Sequence, residues 1–173
     1  MADGEQEIGI EKVTPHEKYA VSPILFNNDI AILRTKTPMV WRLTEDGFGS
    51  VNRICLPKRY QDYRAGEKVT ASGWGDLWFE GNSPVVLNAV DLSIVENCPV
   101  SWGVGDGQIC ARFKEGGKGP CHGDSGGPLA KKRGGRSELV GIVSFGPAGC
   151  TVPDWPAVYT KVSHYIDWIK RNL

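Results

Sequence analysis

Residues 119–128 read Gly119-Pro120-Cys121-His122-Gly123-Asp124-Ser125-Gly126-Gly127-Pro128. Glycines on both sides of Ser125 leave its hydroxyl accessible and let backbone N–H groups converge on one point. Such a pocket stabilises the negative oxygen that forms when a carbonyl is attacked. A serine hydroxyl is a weak nucleophile at its ordinary pKa. It needs an adjacent base, and the base needs a partner that orients it. The chain holds 3 histidines, His16, His122 and His164, from which a base would be drawn.

The elements that must position this segment are short. The chain has 173 residues, and its 22 glycines and 11 prolines punctuate brief apolar runs. That pattern favours strands and turns over long helices. All-β barrels often run to roughly 200–250 residues, so this chain is short for one. Strands are expected at residues 7–14 and 29–34, and a short apolar run at 51–56. Pro38 and residues 44–49 break the pattern between them. Six further strands are expected at 68–72, 85–95, 107–111, 128–132, 138–145 and 157–162. Gly81-Asn82, Gly116-Gly117, Gly134-Gly135 and Pro147 separate them as turns. This rhythm predicts a closed antiparallel barrel. From Ser163 the pattern changes to helical, with Ser163 as N-cap, Tyr165, Ile166 and Ile169 on one face, and Lys170 and Arg171 in the last turn.

Composition excludes several classes. The 20 basic and 20 acidic side chains cancel, so neither nucleic acid nor an anionic membrane is expected as a partner. No run of about 18 apolar residues predicts a membrane span. Residues 1–7 are polar and acidic, unlike a signal-peptide core. The 5 cysteines show no C-x-x-C and no paired histidine, so no metal site is expected. They read instead as a disulfide framework, which implies an oxidising compartment. Their odd number leaves one without a partner in the chain.

The block Gly123-Asp124-Ser125-Gly126-Gly127-Pro128 resembles the active-site signature of the chymotrypsin/trypsin family of serine peptidases. Asn28-Asp29-Ile30-Ala31-Ile32-Leu33 is similar to the segment bearing the family's triad aspartate. Cys55-Leu56-Pro57, Ser72-Gly73-Trp74-Gly75, residues 141–146 and residues 158–162 match further family blocks in order. The resemblance implies an all-β fold, the chymotrypsin-like double antiparallel barrel with a C-terminal helix, its first barrel incomplete. Residues 1–57 would be the remaining part of the first barrel, 58–67 the linker, 68–162 the second barrel and 163–173 the helix.

The family's mechanism is a known worked case of acyl-enzyme catalysis. By resemblance, Ser125 attacks the scissile carbonyl and Asp29 orients the histidine. The N–H groups of Gly123 and Ser125 form the oxyanion hole. Ser144 lies beside Asp29, and Asp124 receives the amino terminus freed by zymogen cleavage. Gly119 is the floor of the primary specificity pocket, with Ser144, Gly146 and Ala157 around it. A floor without a carboxylate implies cleavage after apolar residues, because a buried unpaired cation is costly. Ala157 in place of the usual glycine favours Val, Leu, Ala or Met over Trp. Cys98–Cys110 and Cys121–Cys150 correspond to family disulfides. Cys55 is left unpaired and would tie an upstream segment. Two positions of another family bridge are Val69 and Lys131.

Departures bear on activity. The family order is His, Asp, Ser, and only His16 precedes Asp29. His16 resembles a solvated loop residue, His122 lies beside the oxyanion hole, and His164 belongs to the terminal helix. The family's activation strand has no counterpart. The chain therefore reads as an N-terminally truncated serine endopeptidase, extracellular by family and cysteine usage, inactive alone for want of the triad histidine. Its expected partners are protein or peptide substrates and protein inhibitors, with no cofactor. A non-catalytic homologue that binds partners through the old cleft is the alternative. Gly123-x-Ser125-x-Gly127 also fits the nucleophile elbow of α/β hydrolases, with Asp154 and His164 following in order. That fold requires a helix directly after Ser125.

Overall fold

Alternating burial along short strands builds the larger part of the molecule. The computed structural model describes residues 6–22, 25–41 and 51–173; the break expected at residues 44–49 lies outside them. Six strands close into an antiparallel barrel: β5 (Lys68–Gly73), β6 (Asn88–Ile94), β7 (Gln108–Arg112), β8 (Pro128–Arg133), β9 (Arg136–Phe145) and β10 (Ala157–Lys161). Around the barrel the order is β10-β7-β6-β5-β8-β9. On β5 the period of two places Val69 and Ala71 inside. They meet Leu92, Ile94, Ile109, Ala111, Leu129, Val140, Val143, Ala157 and Tyr159 in one core. Burying each large side chain of this set contributes roughly 1.5–3 kcal/mol.

Strand ends fall within three residues of the sequence expectation, and β8 joins β9 through Gly134-Gly135. Both glycines have positive φ, +55° and +75°, as a tight two-residue hairpin requires. A strand, β8, follows Ser125 rather than a helix, which removes the nucleophile-elbow reading.

The first part of the chain forms smaller pieces. β1 (Ile10–Pro15) pairs with β4 (Ala31–Thr35), and β2 (Ala20–Ser22) pairs with β3 (Leu25–Asn27). The short β2–β3 hairpin was not expected from the sequence. Cys55 bridges to Glu138, with Cys55 N–H donating to the Ser137 carbonyl and Leu139 N–H to the Cys55 carbonyl. This sets Cys55 beside β9.

The helical end is shorter than expected. A 3-10 turn at Val162–His164 precedes α1 (Ile166–Asn172), whose N-cap is Tyr165. Ser163 is not a cap. It is fully buried, and its hydroxyl donates to the Gln61 carbonyl at 2.8 Å, pinning the segment after Cys55 to the barrel. A second core gathers Val162, Tyr165, Ile166, Trp168 and Ile169 around Ile30. Through Ile30 the C-terminal helix packs against the residue next to Asp29. Among the described residues no helix is long and apolar enough to cross a membrane.

Candidate active site

Asp29 sits in the turn before β4, half-buried. Its carboxylate Oδ2 accepts from the Ser144 hydroxyl at 2.6 Å. Its carbonyl accepts from the Thr160 hydroxyl at 2.6 Å. Thr160 is buried on β10 and Ser144 lies near the end of β9, so two barrel strands grip the turn. Sequence reasoning named Ser144 and missed Thr160, which stands 131 residues from Asp29 and carries no local signal.

The Ser125 loop is attached to the same strand end. Gly126 N–H donates to the Val143 carbonyl at 2.9 Å, and Val143 N–H donates to the Gly127 carbonyl at 2.9 Å. Val143 is the neighbour of Ser144. The loop that exposes Ser125 and the hydroxyl that holds Asp29 are thus carried by consecutive residues of β9. Ser125 itself is exposed.

Within the loop, the backbone donors alternate. The N–H groups of Asp124, Gly126 and Gly127 donate to Cys121, Val143 and Asp124 carbonyls. Among the described residues, those of Gly123 and Ser125 have no protein acceptor. Gly123 adopts φ +93°, and a Cβ there would come within 3.1 Å of Gly75 Cα. Only glycine suits both the backbone and the space. Two unsatisfied amides beside an exposed hydroxyl are what an oxyanion site needs.

Asp124 turns inward. Gly75 N–H donates to its Oδ1 and Cys121 N–H to its Oδ2, each at 2.9 Å. It lines a cavity of about 440 Å³ whose walls include Ala71, Leu77, Val90, Phe113 and Val143. Nearby, Tyr159 is fully buried on β10 and its hydroxyl has no hydrogen-bond partner. Burial first, and then the Asp124 carboxylate, push its phenol far above the ordinary tyrosine range, so it stays neutral.

Of the residues expected in the specificity pocket, Gly119 and Ala157 line one small cavity of about 20 Å³ with Pro120, Cys150 and Thr151. Gly146 faces Ala157 closely, since a Cβ built on it would meet Ala157 Cα at 3.8 Å. Ser144 and Gly146 do not line that cavity. The 2.05 Å bond Cys98–Cys110 and the 2.04 Å bond Cys121–Cys150 are both present, and Cys55 is a free, exposed thiol. The second bond ties the segment before Gly123 to the loop around Thr151.

The histidines make other contacts. His122 is exposed, with Nδ1 at 3.9 Å from Asp76 and its ring beside Phe79. His164 packs edge-on against Tyr60 and Tyr165. His16 is not the solvated residue expected: its side chain is 9 % exposed and its ring lies against Trp168. The sequence hid this because α1, which covers the ring, is more than 140 residues away. Among the described residues no hydrogen bond joins a histidine to Asp29 or Ser125.

Comparison with known proteins gives one answer. The trypsin family model matches residues 1–169. The chain is 39% identical to Trypsin-1 of Astacus astacus over 173 residues, covering 97% of this chain and 68% of that protein. It is 38% identical to Serine protease 1 of Drosophila melanogaster, covering 95% of this chain and 59% of that one. With Transmembrane protease serine 11C of Mus musculus the identity is 34%, over 92% of this chain and 37% of the relative's length. From the closed six-stranded barrel with its C-terminal helix, the β9-centred arrangement of Asp29 and Ser125, and this match over nearly its whole length, the chain belongs to the trypsin family of serine proteases.

Proposed function

We propose that the chain carries the nucleophile, orienting carboxylate and oxyanion site of a secreted serine endopeptidase, and that its base comes from outside these residues. The observation that carries the reading is the convergence on β9. Val143 holds the Ser125 loop, and Ser144 holds the Asp29 carboxylate. Ser125 then attacks the peptide carbonyl, its proton passing to a histidine oriented by Asp29, while the Gly123 and Ser125 amides take the developing oxyanion. Two disulfides support an oxidising compartment. The exposed Cys55 thiol supports a bridge to a further segment.

The Asp124 cavity supports activation by a new amino terminus. An aliphatic side chain suits its apolar wall, and the freed ammonium would exchange the two amide contacts of Asp124 for an ion pair. The absence of a carboxylate at Gly119 itself, with Ala157 beside it, supports cleavage after Val, Leu, Ala or Met; the carboxylate that does line this cavity, Asp154, is exposed and already paired with Arg112. The lack, among the described residues, of a hydrogen bond from any histidine to Ser125 or Asp29 supports inactivity of the chain alone, and equally favours the alternative of a binding homologue.

A fluorophosphonate probe tests this. The chain alone should label weakly at Ser125, whereas a longer protein that includes it should label strongly and lose the signal in Ser125→Ala. Strong labelling of the chain alone would sink the claim about the base. No labelling of the longer, activated protein would leave the binding homologue.

A further inference from the structure

His16 lies between β1 and β2, at the start of the loop that meets the Asp29 turn. Its backbone N–H donates to the Ile30 carbonyl at 3.0 Å, just past Asp29. On the other side, the Asn28 side-chain amide donates to the Lys18 carbonyl at 2.8 Å. The Tyr165 hydroxyl donates to Asn28 Oδ1 at 3.1 Å. Asn28 itself holds φ +54°, in the left-handed region that Asn adopts more readily than other non-glycine residues, and its carbonyl accepts from Ile30 N–H. The turn that presents Asp29 is therefore clamped before and after by residues 16–18 and by the segment leading into α1.

The shape of that loop depends on one imidazole lone pair. Lys18 N–H donates to His16 Nδ1 at 3.1 Å, two residues on, in the manner of an Asx turn. Only an unprotonated Nδ1 accepts this bond. The ring is held between Trp168, at 4.9 Å, and Tyr165, edge-on at 5.5 Å. If Nδ1 gains a proton it faces a second donor. The carboxylate beside it, Glu17 Oε2 at 3.9 Å, is beyond hydrogen-bond reach and already accepts from Trp168 Nε1 at 2.7 Å.

We propose that His16 is a positioning residue: its neutral ring holds the loop that clamps the Asp29 turn, and its protonation opens that clamp. The switch lies below the ordinary imidazole range. Burial holds the imidazole below its ordinary range; Glu17 opposes this, while Lys18, Arg171 and His164 act with it. Lys18 and Glu17 come from the ring's own loop, and Arg171 and His164 from the C-terminal segment that covers it. Its bearing on catalysis rests on the role given above to Asp29, but the clamp itself does not depend on activity.

Two variants separate acceptor from ring. His16→Asn keeps a side-chain oxygen that accepts the Lys18 N–H and does not titrate. His16→Phe keeps an aromatic ring against Trp168 and has no acceptor. In NMR titrations of the chain, the His16 C2 proton should shift with a midpoint below the ordinary imidazole value. The Lys18 and Asp29 backbone amides and the Asn28 side-chain amide should shift with the same midpoint. That transition should vanish in His16→Asn, and His16→Phe should show the low-pH positions already at neutral pH. Asn28 and Asp29 signals that stay still while His16 titrates would overturn the proposal. So would a transition that persists in His16→Asn, a comparison that stands even where His16→Phe does not fold. Neither result touches the fluorophosphonate test, so a failed clamp and a failed peptidase reading are told apart.

Discussion

Gly119 and Tyr159 make opposite predictions at single positions. A Cβ at Gly119 would meet only Thr151 Cγ2, at 3.6 Å, so a side chain fits there without displacing backbone. On the proposed reading, Gly119→Asp supplies the carboxylate that a cationic substrate side chain needs. In the active, longer protein it should raise kcat/KM for Lys or Arg relative to Leu by about a hundredfold or more. A fluorogenic peptide pair measures this, and an unchanged ratio would remove Gly119 from the pocket. Tyr159 buries a hydroxyl with no partner, which costs stability rather than adding it. Tyr159→Phe should leave urea stability unchanged or raise it by up to about 1 kcal/mol. A loss larger than that would mean that a bound water or a moving Asp124 satisfies the hydroxyl.

Among the elements, the junction of β5 and β8 shows how a missing bridge is replaced. The pairs Thr70↔Ala130 and Ala71↔Leu129 put Val69 across from Lys131 in register. The two positions that lack cysteines thus face each other, as the family bridge would need. In place of a covalent link, the Lys131 ammonium pairs with Glu67 and lies 5.8 Å from the Tyr63 ring centre. Tyr63 donates in turn to Glu138 at 3.1 Å. The Lys131 hydrogen bond holds the Glu67 carboxyl below its usual range. The unfolded chain therefore binds the Glu67 proton more tightly than the folded one. The pair's contribution is present above the unfolded carboxyl value and is lost as pH falls through the folded one. Glu67→Gln should cost about 1–3 kcal/mol at neutral pH and flatten that acid limb. Thermal denaturation at pH 7 and at acidic pH reads both effects. An equal loss at the two pH values would contradict the assignment.

Over the whole molecule, the site is a meeting of distant segments fastened from outside. The Cys121–Cys150 bond closes a loop with a sequence separation of 29 around β8 and β9 and anchors one end of the Ser125 segment. Replacing both cysteines by serine should cost about 2–4 kcal/mol. The loss should appear as a lower Tm, together with faster hydrogen exchange through residues 119–127. A variant whose Tm falls while that segment stays protected would show that the bond stabilises the barrel without holding the loop. The Asp29 turn is fastened by other means, through Ser144, Thr160 and Tyr165, so it should survive this change.

Local pattern was enough for the barrel strands, the turns at Gly116-Gly117 and Gly134-Gly135, and the family, because alternation and a compact glycine-rich block are carried by neighbours in the chain. Ser125 and Asp29 could be named for the same reason: each stands in its own short recognisable segment. The environment of His16, the buried bond of Ser163, the grip of Thr160 on Asp29 and the unpartnered Tyr159 hydroxyl could not be read this way. Each is created when strands and helix far apart in sequence come within a few ångströms. Burial and hydrogen-bond partners belong to that packing, so tertiary structure alone decided which polar groups are held, which are left free, and which histidine is covered.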